Sequence, residues 1–200
     1  METQPTPQQG NEEERRFERE PHELTPRIYV ASLADYNDGR LYGQWIDAAQ
    51  ELDELEHAVV EMLKGSPTPG AEEYAIHDYE NFGPLKINEY ERLATVSRLA
   101  LGILTHGPAF VHFASLAGTD DVTLNNFEEA FFGHYESVER YADQVLDDLG
   151  YVKEVDEIVP EYLKPYVTFD VERFARDIEL SGDIITSEGD GGVYIFNGHL

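Results

Sequence analysis

Cysteine is absent from the 200 residues. That excludes disulfides and thiolate metal sites. Lysine is scarce, with only Lys64, Lys86, Lys153 and Lys164. No run of about 18 apolar residues occurs, so no membrane span is expected. Residues 1–26 lack the apolar centre of a signal peptide. A soluble, cytoplasmic protein that avoids membranes is the expectation. Motifs of catalysis are missing as well. No Gly-x-Ser-x-Gly elbow and no phosphate-binding glycine loop is present. The seven histidines show neither His-x-x-x-His nor His-Glu-x-x-His spacing. His77 and Asp78 are neighbours on an expected strand and would point to opposite faces. No enzyme, metal or cofactor is expected. Cations are few: 14 against 41 acids, for a net charge of −27 and a pI near 4.3. Such a charge repels nucleic acid and anionic membranes and attracts basic surfaces. Few lysines and a large acidic excess also fit a second reading, a halophile-type acidic protein that binds some other basic partner.

What the chain does have is apolar material, 41% hydrophobic with 12% aromatic, enough for one or two ordinary cores. Residues 1–26 are rich in Gln, Pro and Glu and read as a disordered tail. That tail holds seven acids and three arginines, so −23 of the −27 belongs to the body. The densest acidic stretch runs from Thr119 to Glu161, where Arg140 and Lys153 are the only cations. Val138, Tyr141, Val145, Leu146 and Leu149 recur there at helical spacing. Glu139, Asp143 and Asp147 then share a helix face at intervals of ~6 Å. Like charges so placed cost roughly 0.2–0.5 kcal/mol per pair. Binding to a basic partner is what such an arrangement gains.

Along the chain, alternation predicts strands over 27–34, 40–46 and 73–80. Tyr36-Asn37-Asp38-Gly39 reads as a turn. A helix is expected within 47–64, with Leu52, Leu55, Val59 and Leu63 inward. Asn88 is a plausible N-cap for a helix over 88–104. Shorter helices are expected over 108–116 and 124–130, and a helical turn over 160–166. Asp170 should cap a helix over 171–180. Strands at 183–187 and 193–196 should close as a hairpin around Gly189-Asp190-Gly191-Gly192. This order is α+β, with antiparallel sheets, acidic helices and a terminal hairpin, not the βαβα alternation of a parallel sheet. The expected organisation is a tail over 1–26, an α+β module over 27–86, a helical middle over 87–118 and an α+β module over 119–200.

Four stretches, in order, resemble the ArdA antirestriction family of mobile genetic elements. Residues 28–45 carry Ile28-Tyr29-Val30-Ala31-Ser32-Leu33, the turn Tyr36-Asn37-Asp38-Gly39 and Gly43-Gln44-Trp45. Residues 73–80 read Glu73-Tyr74-Ala75-Ile76-His77-Asp78-Tyr79-Glu80. Phe131-Phe132-Gly133-His134-Tyr135 resembles an aromatic-x-Gly-x-aromatic segment. Phe174-Ala175-Arg176-Asp177-Ile178-Glu179-Leu180-Ser181-Gly182 is similar to the antirestriction motif. Departures are Ile178 where Leu is usual, His134 where Glu is frequent, and the long N-terminal tail. His134 removes one carboxylate expected from the family.

The resemblance implies an elongated α+β homodimer of three small modules in a row that mimics DNA. It implies that surface carboxylates occupy the DNA-binding channel of type I restriction–modification enzymes. The carboxylates expected in the phosphate role are Asp47, Glu51, Asp53, Glu54, Glu61, Glu72, Glu73, Asp120, Asp121, Glu128, Glu129, Glu136, Glu139, Asp143, Asp147, Asp148, Asp156 and Glu157. Phe169, Phe174, Ala175, Arg176, Asp177, Ile178, Leu180 and Gly182 mark the motif and dimer region, with Arg176 and Asp177 expected in a structural role, as an ion pair across or near the interface. Duplex DNA carries a charge per ~1.7 Å of axis. A body charge of −23 therefore matches at most roughly 39 Å of duplex, about one turn.

Overall fold

A computed structural model describes residues 25–199. The tail expected over residues 1–26 lies outside these except for Thr25 and Pro26. Two compact units divide the chain. Residues 25–82 group with 87–104, and 83–86 with 105–199.

The first unit is built on β1 (Arg27–Ser32), flanked by β2 (Gly43–Asp47) and β3 (Tyr74–Glu80) in the antiparallel order β2-β1-β3. Ile28, Val30, Ile46 and Ile76 turn inward from these strands. The first strand stops two residues earlier than expected. Ser32 accepts a hydrogen bond from the Asp35 amide, and Leu33–Asn37 becomes the short helix α1. A side-chain oxygen offered at this spacing starts a helix. The expected turn at 36–39 is therefore the end of α1, and Gly39 takes φ +75° there.

α2 (Leu52–Lys64) buries Leu55, Val59, Met62 and Leu63. Met62 takes the inward place expected for Leu52, which stays exposed. α3 (Leu93–His106) begins five residues later than the sequence suggests, and Asn88 is not its cap. The Ile76 amide donates to the Glu89 carbonyl at 2.8 Å, which holds residues near 89 against the bulge in β3. Asn88 instead donates to the Glu91 carboxylate at 3.0 Å.

In the second unit, α4 (Pro108–Ala117), α5 (Asp121–Asn125) and α6 (Phe127–Ala130) lead into β4 (Phe131–Tyr135). α7 (Val138–Asp148), α8 (Tyr151–Ile158), a 3₁₀ turn at Lys164–Tyr166 and α9 (Val171–Leu180) follow. β5 (Ile184–Gly189) and β6 (Gly192–Asn197) close the chain as the expected hairpin. Asp190 (φ +49°) and Gly191 (φ +76°) supply the two left-handed residues that a tight hairpin needs.

The sheet order is β4-β6-β5, so β6 is central. A hairpin alone would leave the 193–196 strand with one edge unpaired. β4, which alternation did not reveal, takes that side. The sheet is covered on both faces. Phe110, Phe113, Phe127, Phe131 and Phe196 pack on one, with neighbouring ring centroids 5.3–5.6 Å apart. On the other, Ile184, Val193 and Ile195 meet Tyr135, Val138, Tyr141 and Ile178.

Candidate partner-binding surface

Every Asp and Glu of the described residues is exposed except buried Asp35 and half-buried Glu91. All eighteen carboxylates named from the sequence are therefore at the surface. Several also have local duties. Asp120 caps α5, accepting from the Thr123 amide at 3.0 Å and hydroxyl at 2.6 Å. Asp47 accepts from the Ala49 amide at 2.9 Å. Glu61 pairs with Lys64 at 2.7 Å, Asp143 with Arg140 at 3.2 Å, and Asp156 with Lys164 at 3.0 Å. The Lys64 hydrogen bond and charge hold Glu61 below the usual carboxylate range. Hydrogen bonds from Thr123 act likewise on Asp120, and one from Ser137 on Glu139. All three are ionised at neutral pH.

In the first unit, Glu51, Asp53, Glu54 and Glu61 lie on or beside the outer surface of α2, and Glu72 and Glu73 precede β3. In the second unit, Asp120, Asp121, Glu128 and Glu129 belong to the short helices, and Asp156 and Glu157 to α8.

The tightest gathering lies around α7. One groove of 680 Å³ is lined by Glu136, Asp143, Asp147 and Asp148, with Arg140 and His134 among them. A second, of 750 Å³, lies between the start of α7, the end of α9 and the β5–β6 hairpin. Glu136, Glu139, Glu179, Glu188 and Asp190 line it, and none of its lining residues is basic. Glu136 is common to both, so eight carboxylates face two adjoining grooves. Glu179, Glu188 and Asp190 were not singled out from the sequence. In the sequence they lie far from Glu136; the pairing of Tyr135 with Val193 and the packing of α9 against α7 bring them beside it. One signal was present: Glu179 and Glu188 follow the exposed phase of α9 and β5, and Asp190 sits in the hairpin turn.

The motif region divides by burial. Ala175 is buried, Phe174 and Ile178 are half-buried, and Phe169, Arg176 and Leu180 are exposed. Gly182 ends α9 with φ +79°. Asp177 pairs with Arg173, one turn earlier, at 3.7 Å. Within the chain it has no pair with Arg176, because adjacent helical residues diverge. A different, apolar groove of 380 Å³ is walled by Leu146, Val152, Val155, Val159, Val167 and Phe169.

One arrangement superficially resembles a hydrolase triad. Ser181 donates to Asp183 at 2.6 Å, and His199 Nε2 lies 2.9 Å from the other oxygen. The carboxylate stands between the hydroxyl and the imidazole, so the histidine is not placed to take the serine proton. Among the described residues, no group of three or more His, Cys, Asp or Glu is placed to hold a metal ion. No helix there is long and apolar enough to cross a membrane.

Two small antiparallel sheets, each with packed helices, and a surface dominated by carboxylates define an acidic α+β protein. The family model for the antirestriction protein ArdA matches residues 28–191. The chain belongs to this family of antirestriction proteins. No curated protein matches it.

Proposed function

We propose that the protein inhibits type I restriction–modification enzymes by presenting carboxylates where their DNA-binding channel expects phosphates. The observation that carries this reading is the pair of adjoining grooves around α7, where eight carboxylates converge and Arg140 is the only Lys or Arg among the lining residues. Lysines and arginines shaped for phosphate relieve the repulsion stored in such a surface. The carboxylates of α2 and of the 72–73 segment extend the set. Action on a restriction enzyme places the protein in the cytoplasm, without nucleic acid, membrane or cofactor.

The proposal includes a homodimer formed through the C-terminal part. Large apolar side chains stay exposed from Leu149 to Phe169, including Ile158 at 79% and Tyr166 at 82%, and Leu180 is 79% exposed. A patch of this kind marks a protein interaction site.

The experiment is a cleavage assay with purified type I enzymes and unmodified DNA. Cleavage should stop near molar equivalence of inhibitor and enzyme complex, and the block should weaken as salt rises. Undiminished cleavage by several type I enzymes at large inhibitor excess refutes the reading.

A further inference from the structure

The β2-β1-β3 sheet turns one face to its core; on the other, Ala31 and Ala75 are buried, but the end that carries Arg27 and Tyr29 is open. Paired residues of an antiparallel sheet share a face. Arg27 pairs with Asp47 and Glu80, and Tyr29 with Trp45 and Asp78. These six side chains therefore lie on one side, and each is half-buried or exposed. The rings of Tyr29 and Trp45 have centroids 5.6 Å apart. Gly43 leaves room for the Tyr29 phenol, because a Cβ there would come within 2.9 Å of it.

The Arg27 guanidinium sits 5.5 Å from the Trp45 ring centroid, and its Nη1 is 3.4 Å from Glu80 Oε1. This face thus already holds one guanidinium, over an aromatic ring and beside a carboxylate. Arg27 and Glu80 are both well exposed, so the hold is weak. Asp47 and Asp78 each give one carboxylate oxygen to a nearby amide, of Ala49 and Tyr79. The second oxygen of each has no hydrogen bond within the described chain.

We propose that this open face is an arginine-binding surface: Trp45 and Tyr29 stack a guanidinium of a basic protein partner in exchange for Arg27, and Asp47, Asp78 and Glu80 take its N–H groups. The identity of that partner rests on the function proposed above. The chemistry distinguishes this surface from the grooves around α7. Carboxylates alone attract lysine and arginine alike, whereas an aromatic face favours the planar, weakly hydrated guanidinium.

Trp45 is the only tryptophan, so the emission of the full chain reports on this face. Oligoarginine and oligolysine peptides of equal length, titrated at one salt concentration, should both bind through the carboxylates. Only oligoarginine should change Trp45 emission, and it should bind about two- to fivefold tighter. Arg27→Gln should enlarge both effects. Tyr29→Ala should reduce the preference, and Tyr29→Phe, which keeps the ring, should retain it. Equal affinity and equal emission changes for the two peptides in the wild type would overturn the proposal. So would Arg27→Gln lowering the oligoarginine preference while circular dichroism stays unchanged. The peptide assay needs no restriction enzyme. A preference for arginine without inhibition refutes the target and keeps the surface, and inhibition without the preference does the reverse.

Discussion

Thr68 donates its hydroxyl proton to Asp35 at 2.6 Å, tying the loop after α2 to α1. Ser66 donates to the other oxygen of the same carboxylate, and Arg40 Nε lies 3.4 Å from the oxygen that Thr68 holds. Asp35 is fully buried. Burial by itself would raise its pKa. The hydrogen bonds from Ser66, Thr68 and Ser32 and the Arg40 charge outweigh that and hold it below the ordinary value of 3.8.

The sign of the pH dependence follows. The unfolded chain binds a proton at Asp35 near the ordinary value, and the folded chain only at lower pH. This contribution to stability is present above the ordinary value and is lost as pH falls through the folded one. Asp35→Asn should lower the melting temperature at neutral pH by several degrees and flatten the acid limb of a stability–pH curve. Thr68→Val should do the same more weakly. An Asp35→Asn melting curve identical to wild type at neutral pH contradicts this account.

Binding energy should be spread thinly over the carboxylates. Exposed single ion pairs are worth ~0–1 kcal/mol. Asp143→Asn or Glu54→Gln should therefore weaken inhibition a few-fold at most. Neutralising Asp143, Asp147 and Asp148 together should have a clearly larger, roughly cumulative effect. A single Asp or Glu whose loss abolishes inhibition in a folded chain argues against phosphate mimicry.

Mimicry and halophilic acidity make opposite statements about dilute buffer. Repulsion reaches ~30 Å at 0.01 M salt. A halophilic chain unfolds there. This chain, with a phenylalanine cluster under one face of its second sheet, should remain folded. Thermal melts at low and high salt decide between the two.

Light scattering at micromolar concentration should give the mass of a dimer. Replacing Ile158 and Tyr166 together by lysine should give a monomer of unchanged circular dichroism, since both side chains are already exposed. A wild-type monomer would rule out the proposed dimer.

Local signals carried most of the fold. Alternating Ile28 and Val30, the Asp170 cap and the Asp190-Gly191 turn each fix their element within a few residues. The misses have long-range causes. β4 was invisible because Phe131 and Phe132 are adjacent aromatics, Gly133 takes φ +138°, and the partner strand lies far along the chain. The late start of α3 depends on a hydrogen bond to β3. The exposure of the acids was legible from the apolar stripe of each helix. Their convergence on Glu136 was not, because α9 and the hairpin reach α7 only through tertiary packing.

The strand order of the two sheets also sets an order of assembly. In the first sheet the central strand, β1, is made first, and β2 and β3 can add to it as they emerge from the ribosome. In the second, the central strand β6 is made last. β4 must wait for it across the whole stretch from Phe131 to Phe196. Closing so long a loop is entropically costly and slow. During synthesis the first unit can therefore collapse while the aromatic half of the second still lacks the strand it packs on.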